Sequence, residues 1–165
     1  DIPTDEYWVE LFRVSKNQII WGANHFIDRM PIPSSCWLMW DKSFSEDVSF
    51  AQFELAWTSF DGTCKKFDMH PSQQFRIHPT QKPPELYFWM LNRFARPGDK
   101  IFDPMMGSQS SRIAAWDMGF DYWGCEKDAD YFRDGEARFK KHVANKTTLF
   151  APEQMYDFKQ TKLEF

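Results

Sequence analysis

His78-Pro79-Thr80-Gln81-Lys82-Pro83 gathers an imidazole, a hydroxyl, an amide and an ammonium into one short run stiffened by prolines. Such a loop can meet a carboxylate at low entropic cost, which suits an amino-acid headgroup. Further on, Ile101-Phe102-Asp103-Pro104-Met105-Met106-Gly107-Ser108 reads as a strand running into a glycine turn. Gly107 has no side chain, so its backbone can take an unusual dihedral and a ligand can come close. Glu126 follows Asp103 by 23 residues, close to the spacing of about 20 at which a carboxylate meets a ribose diol in dinucleotide-binding units. Accepting two hydroxyl hydrogen bonds at once, it would select a nucleoside. No G-x-G-x-x-G and no G-K-[ST] occurs in the chain, so a nucleoside without phosphates is expected rather than a pyrophosphate or triphosphate. The bland alternatives are a tight turn, a solvated strand end and a polar loop before a helix. His70 and His78 with Asp68 match no common metal-site spacing, and no Ser-His-Asp order or nucleophile elbow is visible.

These groups need elements to position them. Thr4 can cap a first helix ending near Ser15, with Asp5 and Glu6 in its first turn and Tyr7, Trp8, Leu11 and Phe12 on one face. Strands are expected from Asn17 to Trp21, from Cys36 to Trp40 and from Phe53 to Phe60, and residues 61–77 read as a loop with neither period. Pro83 and Pro84 suit the start of a helix whose apolar face runs from Leu86 to Phe94. After the turn Arg96-Pro97-Gly98-Asp99, a strand over Lys100–Asp103, a helix over Ser110–Met118, a strand over Tyr122–Glu126 and a helix from Asp128 to about Ala144 complete the order. Strands separated by helices imply an α/β fold with a mostly parallel sheet and helices on both faces. Ligands of such sheets sit outside the carboxyl ends of the strands, where Asp103–Ser108 and Glu126 fall.

At 165 residues, 42% hydrophobic and 18% aromatic, the chain can bury one core, and one domain over 1–165 is expected. A formal net charge of -4 sets up no global field toward nucleic acid, so such contacts must be local. Lys65, Lys66 and Arg76 are the candidates, although three basic residues in a loop are also an ordinary solvated face. Cys36, Cys64 and Cys125 form no C-x-x-C pair, which argues against a disulfide framework or zinc site and for a reducing, cytoplasmic location. No apolar run approaches membrane-spanning length. The start at Asp1 suggests a fragment, and a sheet lacking a strand would expose an edge through which a homodimer could form.

The string H-P-T-Q-K-P, then a helix, then D-P-x-x-G-S resembles the S-adenosylmethionine-dependent DNA amino-methyltransferases of the adenine N6 or cytosine N4 type. The match is to the permuted group whose catalytic motif precedes the cofactor motif. Ile19-Ile20-Trp21-Gly22-Ala23-Asn24-His25-Phe26 is similar to the strand and loop after that catalytic motif, Trp40-Asp41-Lys42 to the next strand end, and Trp123-Gly124-Cys125-Glu126 to the ribose-binding strand. The resemblance implies a Rossmann-like methyltransferase fold, incomplete at its amino terminus, and S-adenosylmethionine as cofactor. It places Asp103, Met105, Gly107 and Ser108 against that cofactor, Glu126 on the ribose, and His78, Thr80, Gln81 and Lys82 near the methionine end. The substrate it implies is DNA, methylated at an exocyclic amine, adenine N6 first.

Two departures from the family pattern carry consequences. Its cofactor turn reads G-S-G, whereas here it is Gly107-Ser108-Gln109, so positive φ at Gln109 would cost about 1 kcal/mol and weaken cofactor binding. The catalytic D/N-P-P-Y/F tetrapeptide, which meets the target amine and stacks on the flipped base, occurs nowhere in the chain. No catalytic residue is therefore assigned, and the chain alone is expected to be inactive. Residues 61–77 stand where a target-recognition segment would be inserted. A degenerate module that binds cofactor or a partner, and a methyltransferase acting on RNA or a small molecule, are the competing readings.

Overall fold

The computed structural model describes residues 3–45, 47, 49–71 and 76–149. The chain divides into two compact units, Asp1–Ser72 and Gln73–Phe165.

The first unit opens with helix α1 (Asp5–Val14), whose acidic first turn faces the positive helix end. Its Trp8 is buried among the rings of Tyr7, Phe12 and Phe26, at centroid distances of 5.2, 6.5 and 5.7 Å, and Phe12 continues to Trp57 at 6.4 Å. Strands β1 (Ile19–Trp21), β2 (Leu38–Asp41), β3 (Phe53–Thr58) and β4 (Lys65–Asp68) form one sheet in the order β1-β3-β2-β4. Along β2 the side chains alternate, so Leu38 and Trp40 enter the core with Ala56, Trp57 and Cys36. Two of the large indoles buried here find a backbone acceptor. Trp40 Nε1 donates to the Met69 carbonyl at 2.8 Å and Trp57 Nε1 to the Ile32 carbonyl at 3.2 Å.

Two expectations are corrected in this unit. The sheet is mixed rather than mostly parallel: β3 runs antiparallel to both β1 and β2, and β2 runs parallel to β4. Among the described residues, 42–52 contain no helix, and a strand that returns without a crossover comes back antiparallel. The loop expected over 61–77 is interrupted by β4. Lys-Lys-Phe-Asp carries no apolar alternation because β4 is an outer strand, held by backbone bonds to β2 with Phe67 half-buried and the rest exposed. Residues 72–75, with the paired glutamines, lie outside the described residues. Two short 3-10 turns, Ala23–His25 and Ile27–Arg29, follow β1.

The second unit contains α2 (Pro84–Phe94), β5 (Lys100–Asp103), α3 (Ser110–Asp117), β6 (Asp121–Gly124) and α4 (Ala129–Leu149). A proline in the first turn of α2 loses no helical bond, and Leu86 and Met90 supply the buried face. Burying each of these is worth about 2 kcal/mol. Strands β5 and β6 pair in parallel through Ile101↔Tyr122 and Asp103↔Gly124, and α3 makes the crossover. Asp128 caps α4, its Oδ1 accepting the amides of Asp130 and Tyr131 at 2.9 and 3.0 Å. The far half of α4 is held to α3 by Asp117, which takes His142 Nε2 at 2.9 Å and Lys146 Nζ at 2.6 Å. That anchor lets the helix run beyond the expected end near Ala144. Residues 150–165 lie outside the described residues, and among those described no helix is long and apolar enough to cross a membrane.

Candidate functional site

The strand-to-helix turn after β5 is closed by its own polar groups. Asp103 Oδ1 accepts the Met105 amide at 3.0 Å, an Asx turn that starts the bend, and Oδ2 accepts the Ser111 hydroxyl at 2.6 Å. The ladder continues past the strands, with the Cys125 amide on the Asp103 carbonyl at 2.9 Å and the Met106 amide on the Cys125 carbonyl at 3.0 Å. Glu126 then reaches back: Oε2 accepts the Gly107 amide at 2.8 Å while Oε1 accepts the Asp128 amide at 2.9 Å. The carboxylate thus ties the glycine turn to the start of α4 and keeps lone pairs for further donors.

Gly107 has φ 44, in the left-handed region, and a Cβ there would meet the His78 ring at 3.4 Å. A side chain would therefore be strained by the backbone, with its Cβ in ordinary contact with the ring. The imidazole lies edge-on to Tyr131 at 4.3 Å, and its Nδ1 accepts the Thr80 amide at 3.2 Å and lies 3.1 Å from Thr80 Oγ1. Accepting at Nδ1 places the ring proton on Nε2. Gln81 folds back so that Oε1 accepts the Ile77 amide at 3.1 Å, and the Lys82 carbonyl accepts the Ser110 hydroxyl at 2.6 Å. The hexapeptide is therefore tied to the start of α3 through the Lys82 carbonyl, and its His78 ring lies beside Gly107.

Of the residues singled out in the sequence, Gly107 and Glu126 are joined by a direct bond, Asp103 bonds to Met105 and Cys125, their near neighbours in the chain, and His78 lies beside Gly107. Met105 is exposed and Ser108 is buried, with its hydroxyl 3.2 Å from that of Ser110. Gln109 does take the expected positive φ, at 60, but its side chain is fully buried against α4. Lys65, Lys66 and Arg76 belong to the other part of the sequence reading: the first two sit on β4, where Lys66 Nζ is 3.3 Å from Asp41 and 2.5 Å from Asp68, and Arg76 is exposed. Among the described residues no group of His, Cys, Asp and Glu could hold a metal. Ser110, Ser111, Tyr122 and Arg138 were not singled out in the sequence, because a serine or tyrosine in a helix or strand carries no periodic signal of what it bonds.

Burial pushes the Asp103 carboxyl's pKa up, more than the bonds from Ser111 and Met105 and the nearby Lys82 charge pull it down, and the Glu126 carboxylate adds to the rise. Burial likewise raises the Tyr122 phenol, so it stays protonated 3.0 Å from the Ser111 hydroxyl. A carboxyl whose folded pKa exceeds its unfolded value binds its proton more tightly in the native state, so its contribution to stability falls as pH rises through that window. Asp103→Asn removes the charge and keeps an oxygen for the Met105 amide. Melting curves from about pH 4 to pH 7 should show the variant gaining on the parent as pH rises, and at neutral pH equalling or exceeding it. A variant that loses ground toward neutral pH would show instead that the ionised carboxylate's bonds outweigh its burial.

Comparison with known proteins bears on the family and the fold. Residues 8–137 match the family model described as DNA methylase, of the N6/N4 methyltransferase type. Among curated proteins, the Type II methyltransferase M.HinfI of Haemophilus influenzae is 29% identical over 70 residues, which cover 42% of this chain and 20% of that protein. YubD of Escherichia coli K12, described as a candidate methylase, is 36% identical over 63 residues, covering 38% and 28%. The match thus spans between a fifth and a third of these relatives' lengths. Among solved structures, the M1.HpyAVI–SAM complex superposes with a TM-score of 0.66 at 17% identity over 81% of this chain and 80% of that one. TTHA0409 of Thermus thermophilus, a candidate DNA modification methylase complexed with S-adenosyl-L-methionine, gives 0.60 at 20% identity over 84% and 75%. Identities this low establish the Rossmann-like methyltransferase fold alone. The family match covers most of the sequence, and the chain belongs to the DNA methylase family.

Proposed function

We propose that this chain forms the S-adenosylmethionine-binding part of a DNA amino-methyltransferase acting on an exocyclic base nitrogen, adenine N6 in preference to cytosine N4. The observation that carries the reading is the closed turn: the Gly107 amide on Glu126, at a left-handed glycine with the His78 ring beside it. A glycine with positive φ beside a carboxylate with spare lone pairs is a cradle for a nucleoside. Glu126 would hold the ribose hydroxyls, and Asp103, Met105, Gly107 and Ser108 would line the adenosine side. His78, Thr80, Gln81 and Lys82 would hold the amino-acid end, Lys82 through its charge. Bound S-adenosylmethionine supplies an electrophilic methyl group on its sulfonium. The residues of this chain bind and orient that donor, which is where positional catalysis begins.

DNA contacts in this reading are electrostatic and come from β4 and the segment after it. Lys66 is already offset by Asp41 and Asp68, so of the two β4 lysines phosphate contact falls to Lys65, whose ammonium donates to the Thr63 hydroxyl; Arg76 is the third basic candidate. The absent tetrapeptide favours a second reading, a module that binds the cofactor without catalysing transfer. Both readings require binding, so titration calorimetry with S-adenosylmethionine and S-adenosylhomocysteine, the demethylated product, tests the shared claim. Saturable heat is expected at or below about 1 mM ligand. No heat and no thermal shift at that concentration would remove it.

A further inference from the structure

Helix α4 is charged along most of its length yet has a buried glycine, Gly135, inside it. Glycine weakens a helix interior relative to alanine, so it needs a packing reason. That reason is Gln109. A Cβ at position 135 would lie 2.8 Å from Gln109 Cγ and Nε2 and 3.0 Å from Cδ. The glutamine's amide is held at both ends, Oε1 accepting Arg112 Nη1 at 2.8 Å and Nε2 donating to the Phe132 carbonyl of α4 at 3.4 Å. Arg112 also pairs with Glu136, the neighbour of Gly135.

A second grip lies one turn further along α4. Arg138 Nη1 donates to the Ser108 carbonyl at 2.6 Å and to Ser110 Oγ at 2.9 Å, and that hydroxyl donates in turn to the Lys82 carbonyl. The guanidinium therefore reaches the glycine turn directly and the H-P-T-Q-K-P loop through one serine. Both grips act on residues 108–112, behind the segment 103–108, and both originate on α4.

We propose that α4 sets the shape of the 103–108 turn, with Gln109 and Arg138 as positioning residues for cofactor binding and Gly135 as the socket that admits Gln109. This rests on the S-adenosylmethionine reading above. It also explains how a glutamine occupies a left-handed position that favours glycine: the side chain's anchorage offsets the backbone strain. Positive φ and close packing at 109 and 135 are one device, so the two positions should be energetically coupled.

The two views of Gln109 predict opposite outcomes for Gln109→Gly. If only the backbone mattered, glycine would relax the turn and S-adenosylhomocysteine would bind at least as tightly. With the side chain as anchor, affinity should fall about 5- to 10-fold, and the Gly107 and Ser108 amides should exchange faster, out of proportion to any change in melting temperature. Gly135→Ala should weaken binding about 10-fold or more in the parent, but by less than about 2-fold in the Gln109→Gly background, where nothing fills the socket. Gln109→Met, which keeps the fill and loses the hydrogen bonds, should lie between parent and glycine variant and decides the matter if Gly135→Ala does not fold. Equal or tighter binding by Gln109→Gly, or an alanine penalty that is the same in both backgrounds, would overturn the proposal. Should the parent bind no ligand, the cofactor reading fails on its own, and the same cycle read by amide exchange at Gly107 and Ser108 still tests the clamp.

Discussion

Glu126→Ala is expected to weaken S-adenosylmethionine binding by about 1–3 kcal/mol, because it removes the acceptor proposed for the ribose hydroxyls. The loss should be larger than a peripheral contact would give, since the same carboxylate holds the Gly107 amide at 2.8 Å and the Asp128 amide at 2.9 Å. Deleting it leaves the turn's amide without its partner and unties the turn from the start of α4. Glu126→Gln should not restore binding fully, because its amide group has one oxygen where two backbone donors and a diol need acceptors. Calorimetry and thermal melting on the same samples separate the roles. A lower melting temperature with unchanged affinity would make Glu126 a brace for the turn and nothing more.

The parts of the site that were legible in the sequence are those written in backbone requirements. Gly107, the prolines around Thr80 and the acidic residue closing β6 announce themselves because a left-handed turn, a stiff loop and a strand end restrict which residues fit. The helices followed from their apolar faces, with Leu86 and Met90 in α2 and Trp8 in α1 buried as the periodicity requires. Strand β4 was illegible because its order comes from β2 through backbone bonds, and Lys-Lys-Phe-Asp buries little. The antiparallel return of β3 was hidden for a related reason. Periodicity identifies a strand and its buried face, while direction is set by whether the connection contains a crossover helix. Gln109 was legible as a backbone anomaly and illegible as an anchor. Its partner Gly135 did carry a signal, a glycine interrupting a charged helical run, but the position it packs against is 26 residues away in sequence and nothing local names it.

No methyl group is expected to pass from S-adenosylmethionine to DNA in the presence of these 165 residues alone, whatever their affinity for the donor. Binding and orientation of the donor are half of the transfer; the other half is a set of acceptors aimed at the target amine as charge develops on it. The family resemblance assigns that task to a D/N-P-P-Y/F tetrapeptide, and the chain contains none. Radiolabel transfer to mixed-sequence DNA should therefore stay at background for this chain and rise when a strand carrying D-P-P-Y is joined ahead of Asp1, with a higher melting temperature from the added sheet pairing. An extended protein that is neither more stable nor active would favour the module that binds without catalysing. Transfer by the unextended chain would require another acceptor at a strand end, and the structure ranks the choices. Asp41 is already committed, Oδ1 to the Ser43 amide at 2.8 Å and Oδ2 to Lys66 at 3.3 Å, and those bonds hold its carboxyl below the usual carboxylate range. Asn24 lies just past β1, exposed, in the 3-10 turn entered through the left-handed Gly22, and its carbonyl could accept a hydrogen bond from an amine. Activity in the unextended chain should then vanish with Asn24→Ala and persist with Asp41→Asn.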